Sequence, residues 1–233
     1  FAGEANPHLD DMTSILTSYL FYNWDLGYVQ GMSDLLAPIM VVHPDDEALA
    51  FWVFERVMAQ WQNNFGKDQL GMRGQLEAVA RALAVADPEL HAFFVSTDAL
   101  NLFFCFRWML VRFKRELAFD DVCALWDVLW SRSVGSDTAS RSWHIVAAVA
   151  LLVQHRTALL GAPFDDILKY INDLSGSIDV NDLLVRAAVL FDIVTENIGE
   201  DAALALFSPA SVPPSPPRDA QTSDTHDSAA SSL

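Results

Sequence analysis

The chain has 233 residues, 52% of them apolar and 19% charged, and its 14 Lys+Arg stand against 31 Asp+Glu for a formal net charge of −17. There is enough apolar material for one large core or two smaller ones, while the acidity argues against a nucleic-acid reader or an anionic-membrane binder, both of which need a basic surface to meet phosphate. Two cysteines, Cys105 and Cys123, lie among large apolar residues without a Cys or His at zinc-ligand spacing, which excludes a disulfide scaffold and fits a reducing, cytoplasmic compartment.

The 3.6-residue period dominates from the first residues onward. Asn6-Pro7 places a capping side chain and a first-turn proline ahead of Leu9, Met12, Ile15, Leu16 and Tyr19, which share one helical face. Asp45 is placed to cap a second helix carrying Leu49, Trp52 and Val57, and Asp87-Pro88 repeats the pattern before Leu90, Phe93 and Phe94. Phe119, Val122, Leu125, Trp126 and Leu129 form the apolar face of another helix, opposite Asp120, Asp121 and Asp127. The segment 143–160 is apolar almost all round, as a central helix should be, and its run 145–153 is too short for the about 20 residues of a membrane span. No signal-peptide pattern precedes it. Asp179 or Asn181 opens a helix with Leu184, Ala188, Phe191 and Val194 that stops at Gly199. No stretch alternates with period two, so the expected class is all-α, with nine or ten helices and no significant sheet.

At Ser208 the composition changes: residues 208–233 hold seven Ser, five Pro and four Ala. Such a segment cannot bury enough apolar area to offset its ordering entropy, so residues 1–207 are read as the folded domain and 208–233 as a disordered tail. The tail carries one arginine and three aspartates, so the rest keeps 13 basic and 28 acidic residues, a net charge of −15. Within it, Ser208-Pro209 and Ser215-Pro216 resemble proline-directed phosphorylation sites, and Pro213-Pro214-Ser215-Pro216-Pro217 has the composition of an SH3-type ligand. The chain begins at Phe1 instead of Met, as a piece of a longer polypeptide would.

Enzyme constellations are missing: there is no Gly-rich phosphate loop, no H-E-x-x-H, no G-x-S-x-G and no cysteine pair with metal spacing. His43, His144 and His155 are scattered, and the carboxylate pairs Asp45-Asp46, Asp120-Asp121 and Asp165-Asp166 fall at helix starts, where they complement the helix dipole. One segment stands apart. In Tyr22-Asn23-Trp24-Asp25-Leu26-Gly27-Tyr28-Val29-Gln30-Gly31-Met32-Ser33-Asp34, glycines flank Tyr28-Val29-Gln30 and permit backbone shapes that a side chain forbids. Spacing alone leaves two readings open, a tight interhelical turn with a capping Asp or a functional loop.

That segment resembles the Y-x-Q motif of the TBC domain, the Rab GTPase-activating fold. Phe51-Trp52 with Phe54 and Met58, the run Phe104-Cys105-Phe106-Arg107-Trp108 followed by Phe113-Lys114-Arg115-Glu116, and Leu125-Trp126-Asp127-Val128-Leu129-Trp130 are similar to later family blocks in the same order. The resemblance covers about residues 1–200 and implies a two-lobed, all-helical fold. It also implies catalysis in trans on a GTP-bound Rab GTPase, with one glutamine and one arginine supplied to the partner's active site. By position Gln30 is the glutamine. Tyr28, Gly31, Met32 and Asp34 beside it, with Arg107 and Lys114 from the densest basic stretch, are the residues expected at the GTPase contact. For Arg107, Lys114 and Arg115 alike, solvated helix positions and internal pairing with Glu116 or a nearby Asp are the commoner role, and Trp52, Trp108, Trp126 and Trp130 are expected in the core.

The family's I-x-x-D-x-x-R arginine motif has no counterpart here. The first arginine, Arg56, already follows Gln30, and the I-x-x-D string at 198–201 has Leu204 where arginine would stand. The expectation is that this motif precedes Phe1 in a longer chain. No cofactor and no metal site is expected of the chain itself, because GTP and Mg²⁺ belong to the GTPase. The expected setting is cytoplasmic, with peripheral recruitment to endomembranes in vesicle trafficking. The rival readings are a pseudo-activator that binds a Rab or an effector without accelerating hydrolysis, and a plain helical scaffold.

Overall fold

The computed structural model describes residues 7–131 and 142–209 of the chain. Among these residues there is no strand. The helices are α1 (Pro7–Tyr22), α2 (Met32–Val42), α3 (Glu47–Trp61), α4 (Leu70–Ala86), α5 (Pro88–Ser96), α6 (Phe106–Leu110), α7 (Phe119–Ser131), α8 (Trp143–Gln154), α9 (Arg156–Leu159), α10 (Phe164–Asp173), α11 (Val180–Ile198) and α12 (Glu200–Phe207), with 3₁₀ turns at Gln62–Phe65 and Phe103–Cys105. The predicted helix over 143–160 divides at His155, where ψ swings to 13°, so α8 and α9 are separate.

Caps set the boundaries. Asp87 accepts a hydrogen bond from the Leu90 N–H at 3.0 Å, and Asp179 accepts from the N–H groups of Asn181 and Asp182 at 2.9 and 3.1 Å, which settles the choice between Asp179 and Asn181. For α3 the cap is Asp46, which accepts from Leu49 N–H at 2.8 Å, and not Asp45. The reason is reach: the side chain of an N-cap meets the N–H two or three residues on, and Asp45 stands one residue too early. Asp120 and Asp121 fall in the first turn of α7, and Asp165 and Asp166 in that of α10.

Every side chain of α8 from Trp143 to Leu152 is buried, and α4, α7 and α11 pack around it. Helices α1, α2 and α3 pack on one another and join this second group through α2 against α7 and through the 3₁₀ turn after α3 against α4. Trp61, Trp108 and Trp126 are buried and Trp130 is half-buried. Trp52 departs from expectation. It is 53% exposed, edge-on to Tyr22 and Phe51, because the inward face of α3 is already filled by Ala50, Phe54, Val57 and Trp61. Helix α12 ends at the buried Phe207, and Ser208 closes it by donating from Oγ to Leu204 O at 2.8 Å. That half-buried contact occupies the Ser208 hydroxyl singled out as a phosphorylation site. The cap at Asn6 and the tail motifs beyond residue 209 lie outside the described residues.

Candidate functional site

Between α1 and α2 the chain makes a turn whose shape depends on its two glycines. Gly27 has φ 68° and Gly31 φ 111°, values that L side chains rarely adopt. Gly31 also fits a narrow space, since a Cβ there would come within 3.2 Å of a Val111 methyl. The turn is held from beneath by Met32, which is fully buried and whose Sδ lies 3.4 Å from the Val29 N–H. Backbone bonds from Met32 N–H to Val29 O and from Asp34 and Leu35 N–H to Gly31 O start α2 directly after the turn. Anchored in this way, Gln30 is exposed on the turn, and Tyr28 is 51% exposed with its hydroxyl 3.4 Å from Ser33 Oγ.

Gln30 stands at a groove of about 390 Å³. Its apolar walls are Phe65, Phe106, Leu110 and Val111, its polar edge includes Asn64 and Gln69, and its cationic edge is Arg107 and Arg115. Both arginines are braced from within the protein. Arg115 grips Asp34 with two bonds, Nη2 to Oδ2 at 2.6 Å and Nε to Oδ1 at 3.0 Å, and Lys114 Nζ reaches Asp34 Oδ1 at 3.5 Å. Arg107 donates to both oxygens of Glu116, at 2.5 and 2.8 Å. Burial alone would raise the Asp34 carboxyl pKa, but hydrogen bonds and charge from Arg115 and Lys114 outweigh it and hold the value below the usual range. The same pairing raises the pKa of Arg115.

These partners come together through a strained bend after α6. Arg112 and Phe113, neither of them glycine, have φ of 50° and 62°. Phe113 is fully buried and stacked on Trp108, and this packing holds the bend while it aims Lys114 and Arg115 at Asp34 and Glu116 at Arg107. On the other side of the bend, Ser175 Oγ donates to Arg115 O and Gly176 N–H to Glu116 O, both at 2.8 Å.

Beneath the groove lies a polar network that sequence reasoning did not foresee. Asn64 donates to Met109 O at 3.3 Å and accepts from the Gln75 amide. Gln75 Oε1 accepts from Arg112 Nη1 at 2.7 Å and pairs with His144 Nε2 at 2.9 Å. Arg112 has no carboxylate partner among the described residues. Its charge is met by Gln75, by Met109 O at 3.1 Å and by the Trp61 ring 5.0 Å away, and burial depresses its pKa to about 9. It is therefore still cationic at neutral pH.

The expected contact residues divide accordingly. Gln30 and Tyr28 are displayed outward. Gly31 and Met32 are buried, because the turn needs an apolar anchor and a close backbone approach at those positions. Asp34, with 12% of its side chain exposed, braces the turn against Arg115 and Lys114, and Arg107 is bound by Glu116. Missed from sequence were the walls of the groove and a cluster of exposed aromatics behind the turn: Phe21, Trp24, Tyr22 and Trp52. Phe21 stacks on Trp24 with ring centres 6.1 Å apart. The signal for this cluster was present in the density of aromatics around the Y-x-Q segment, but aromatic residues are core by default.

Comparison with known proteins places this geometry. The family model described as the Rab-GTPase-TBC domain matches residues 1–160. A GTPase-activating protein GYP7 from Yarrowia lipolytica is 44% identical over 189 residues, covering 80% of this chain and 25% of that protein. TBC1 domain family member 17 from Homo sapiens is 39% identical, covering 98% of this chain and 38% of its own length. Among solved structures, the Ypt/Rab-GAP domain of Gyp1p superposes with a TM-score of 0.69 at 19% identity, over 81% of this chain and 66% of that one, a likeness of fold. The chain belongs to the Rab-GTPase-TBC domain family. It spans between a quarter and two fifths of the length of these curated relatives.

Proposed function

We propose that this chain is the Rab-directed part of a GTPase-activating protein and that it offers Gln30 to the active site of a GTP-bound Rab. The observation that carries the reading is the exposure of Gln30 on a turn fixed from below by Gly31, Met32 and the Asp34–Arg115 pair. GTP hydrolysis is limited by orienting a water and by neutralising charge on the phosphoryl oxygens. A primary amide suits both tasks, because its oxygen accepts from the water while its NH₂ donates to phosphate. A rigid turn supplies the amide without an ordering cost at the moment of reaction. GTP and Mg²⁺ are the partner's, and the chain brings no cofactor. The setting we infer is the cytoplasmic face of endomembranes. Among the described residues no helix is long and apolar enough to cross a membrane, so attachment there is peripheral in this reading.

The experiment is single-turnover GTP hydrolysis by a panel of Rab proteins, using a longer form of the chain that includes an upstream I-x-x-D-x-x-R segment. Gln30→Ala should cut the acceleration by at least about 100-fold, the scale of losing one transition-state donor, with complex formation largely kept. Full activity in that variant would refute the role of Gln30. A second reading, binding without acceleration, is favoured by one observation: the arginines beside Gln30 are committed to Asp34 and Glu116. Stable capture of a GTP-bound Rab with no rate change, by the longer form too, would establish it.

A further inference from the structure

The turn that displays Gln30 begins in an open aromatic surface. Phe21 and Trp24, at 71% and 72%, are the most exposed large apolar side chains among the described residues, and Tyr22 and Trp52 are more than half exposed. The core makes no use of them, since α1 fills its inner face with Ile15 and Tyr19, and α3 with Ala50, Phe54, Val57 and Trp61. The rings hold one another in place: Phe21 stacks on Trp24, and Tyr22 stands edge-on to both Phe51 and Trp52 with ring centres 5.9 Å apart. Asn23 fixes the start of the turn, its backbone N–H donating to Tyr19 O at 2.8 Å and its side-chain amide to Tyr19 Oη at 3.1 Å. The exposed surface then continues along the turn through Asp25 and Tyr28 to Gln30.

We propose, on the reading of Gln30 given above, that Phe21, Tyr22, Trp24 and Trp52 are a docking surface for the same GTPase that meets Gln30, and that the partner's facing surface is apolar at its centre and ringed by Lys or Arg. Three features of the surface select that occupant. The first is continuity. Trp24 and Gln30 stand six residues apart on one braced turn, and six residues of chain reach at most ~20 Å. A standard interface covers ~800 Å² on each partner, a disc ~32 Å across, so a partner seated over Gln30 extends to the rings. The second is area. Aromatic side chains bury ~150–250 Å² each, so four that are more than half exposed offer on the order of 500 Å². That is the size of a functional patch, but it is short of what a stable complex covers, so it works together with neighbouring surface, and the turn is that neighbour. The third is charge. Residues 7–61 carry eight Asp and Glu against Arg56 alone, a net −7. This charge repels a second copy and anionic lipid headgroups alike, and it attracts a basic rim. Rings already held by their neighbours lose little side-chain freedom on binding, which suits them as anchors.

The test measures affinity and rate separately: binding of the full chain to a panel of GTP-loaded Rab proteins, then acceleration by the longer form used for Gln30. Phe21→Ser combined with Trp24→Ser should weaken binding by at least about 30-fold, the scale of a hot-spot loss, and Trp52→Ser on α3 should independently weaken it by about tenfold. All three side chains are exposed, so the melting temperature should hold in each variant. In the longer form the rate at saturation should stay unchanged while the half-saturating concentration rises by the same factor, the reverse of Gln30→Ala. Binding should also weaken several-fold as salt is raised from about 0.05 to 0.5 M, and an affinity indifferent to salt would overturn the basic rim. Unchanged Rab affinity in both variants would overturn the docking surface and leave the role of Gln30 standing. If they instead lost self-association, or binding to phosphatidylcholine vesicles, the patch would belong to a second copy or to a lipid surface. Weakened binding in a protein that accelerates nothing would keep the docking surface and refute the role of Gln30. No binding of any Rab by the unaltered chain would overturn both.

Discussion

Asp34 is where the stability of the turn can be measured most directly. Its side chain is 12% exposed, against 40% for Arg115 and 30% for Lys114, so the pair lies between a surface salt bridge and a buried one. Exposed pairs contribute about 0.2–1 kcal/mol, and breaking a buried pair costs about 3–5. After Asp34→Asn the two cations regain water on their open sides, so the expected loss is about 2 kcal/mol, or a Tm lower by about 4–8 °C for a chain of this size. The pH dependence has a definite sign. The folded-state pKa of Asp34 is depressed, so its contribution is present above the unfolded carboxyl value of about 3.9 and is lost as pH falls through the folded value. Thermal melts of both proteins between pH 7 and pH 3 should show a constant gap down to about pH 5 that narrows below about pH 4. A gap under about 1 °C at pH 7, or one that widens in acid, would refute this account of how the turn is braced.

Gly31→Ala places a side chain at φ 111° and within 3.2 Å of Val111, and it should cost about 1–2 kcal/mol in urea melts and lower GTPase acceleration by displacing Gln30. Gly71→Ala is expected to be worse, because its Cβ would fall 2.2 Å from the Asn63 carbonyl oxygen and backbone cannot step aside; a loss below about 2 kcal/mol would show that α4 slides. Asp87→Ala removes the cap of α5 and the carboxylate that receives Arg156 at 2.7 Å, so a loss of about 1–2 kcal/mol is expected at pH 7, shrinking in acid because the Asp87 pKa is also held low. Burial, with Glu116 adding to it, pushes the Cys105 thiol well above its ordinary pKa, and burial with Asp127 and Asp120 raises that of Cys123. Aromatic disulfide reagents at pH 7.5 should therefore label native protein far more slowly than unfolded protein, with Cys105 the slower.

Helix content was legible in the sequence because its causes are local. Side chains three and four residues apart share a face, a cap reaches only two or three residues ahead, and Gly199 ends α11 through its own φ of 87°. The Y-x-Q turn was legible for the same reason, since Gly27 and Gly31 carry their conformational freedom with them. Which way each turn residue faces was not. Met32 and Tyr28 are both large residues beside a glycine, and only the packing of the folded chain sends Met32 inward and leaves Tyr28 half in solvent. Trp52 illustrates the converse, an aromatic turned outward because its helix had already filled its inner face.

What only the tertiary structure decided is the company that Gln30 keeps. Arg115 meets Asp34 across 81 residues of sequence, Gln75 meets His144 across 69, and Asn64 meets Met109 across 45. No local rule links such positions, because the energy that joins them comes from packing α4, α6 and α8 together and from the penalty on leaving a buried polar group unpaired. The amide itself can be read from the order of residues in the chain. The walls, cations and buried struts that make it a site exist only once the helices have packed.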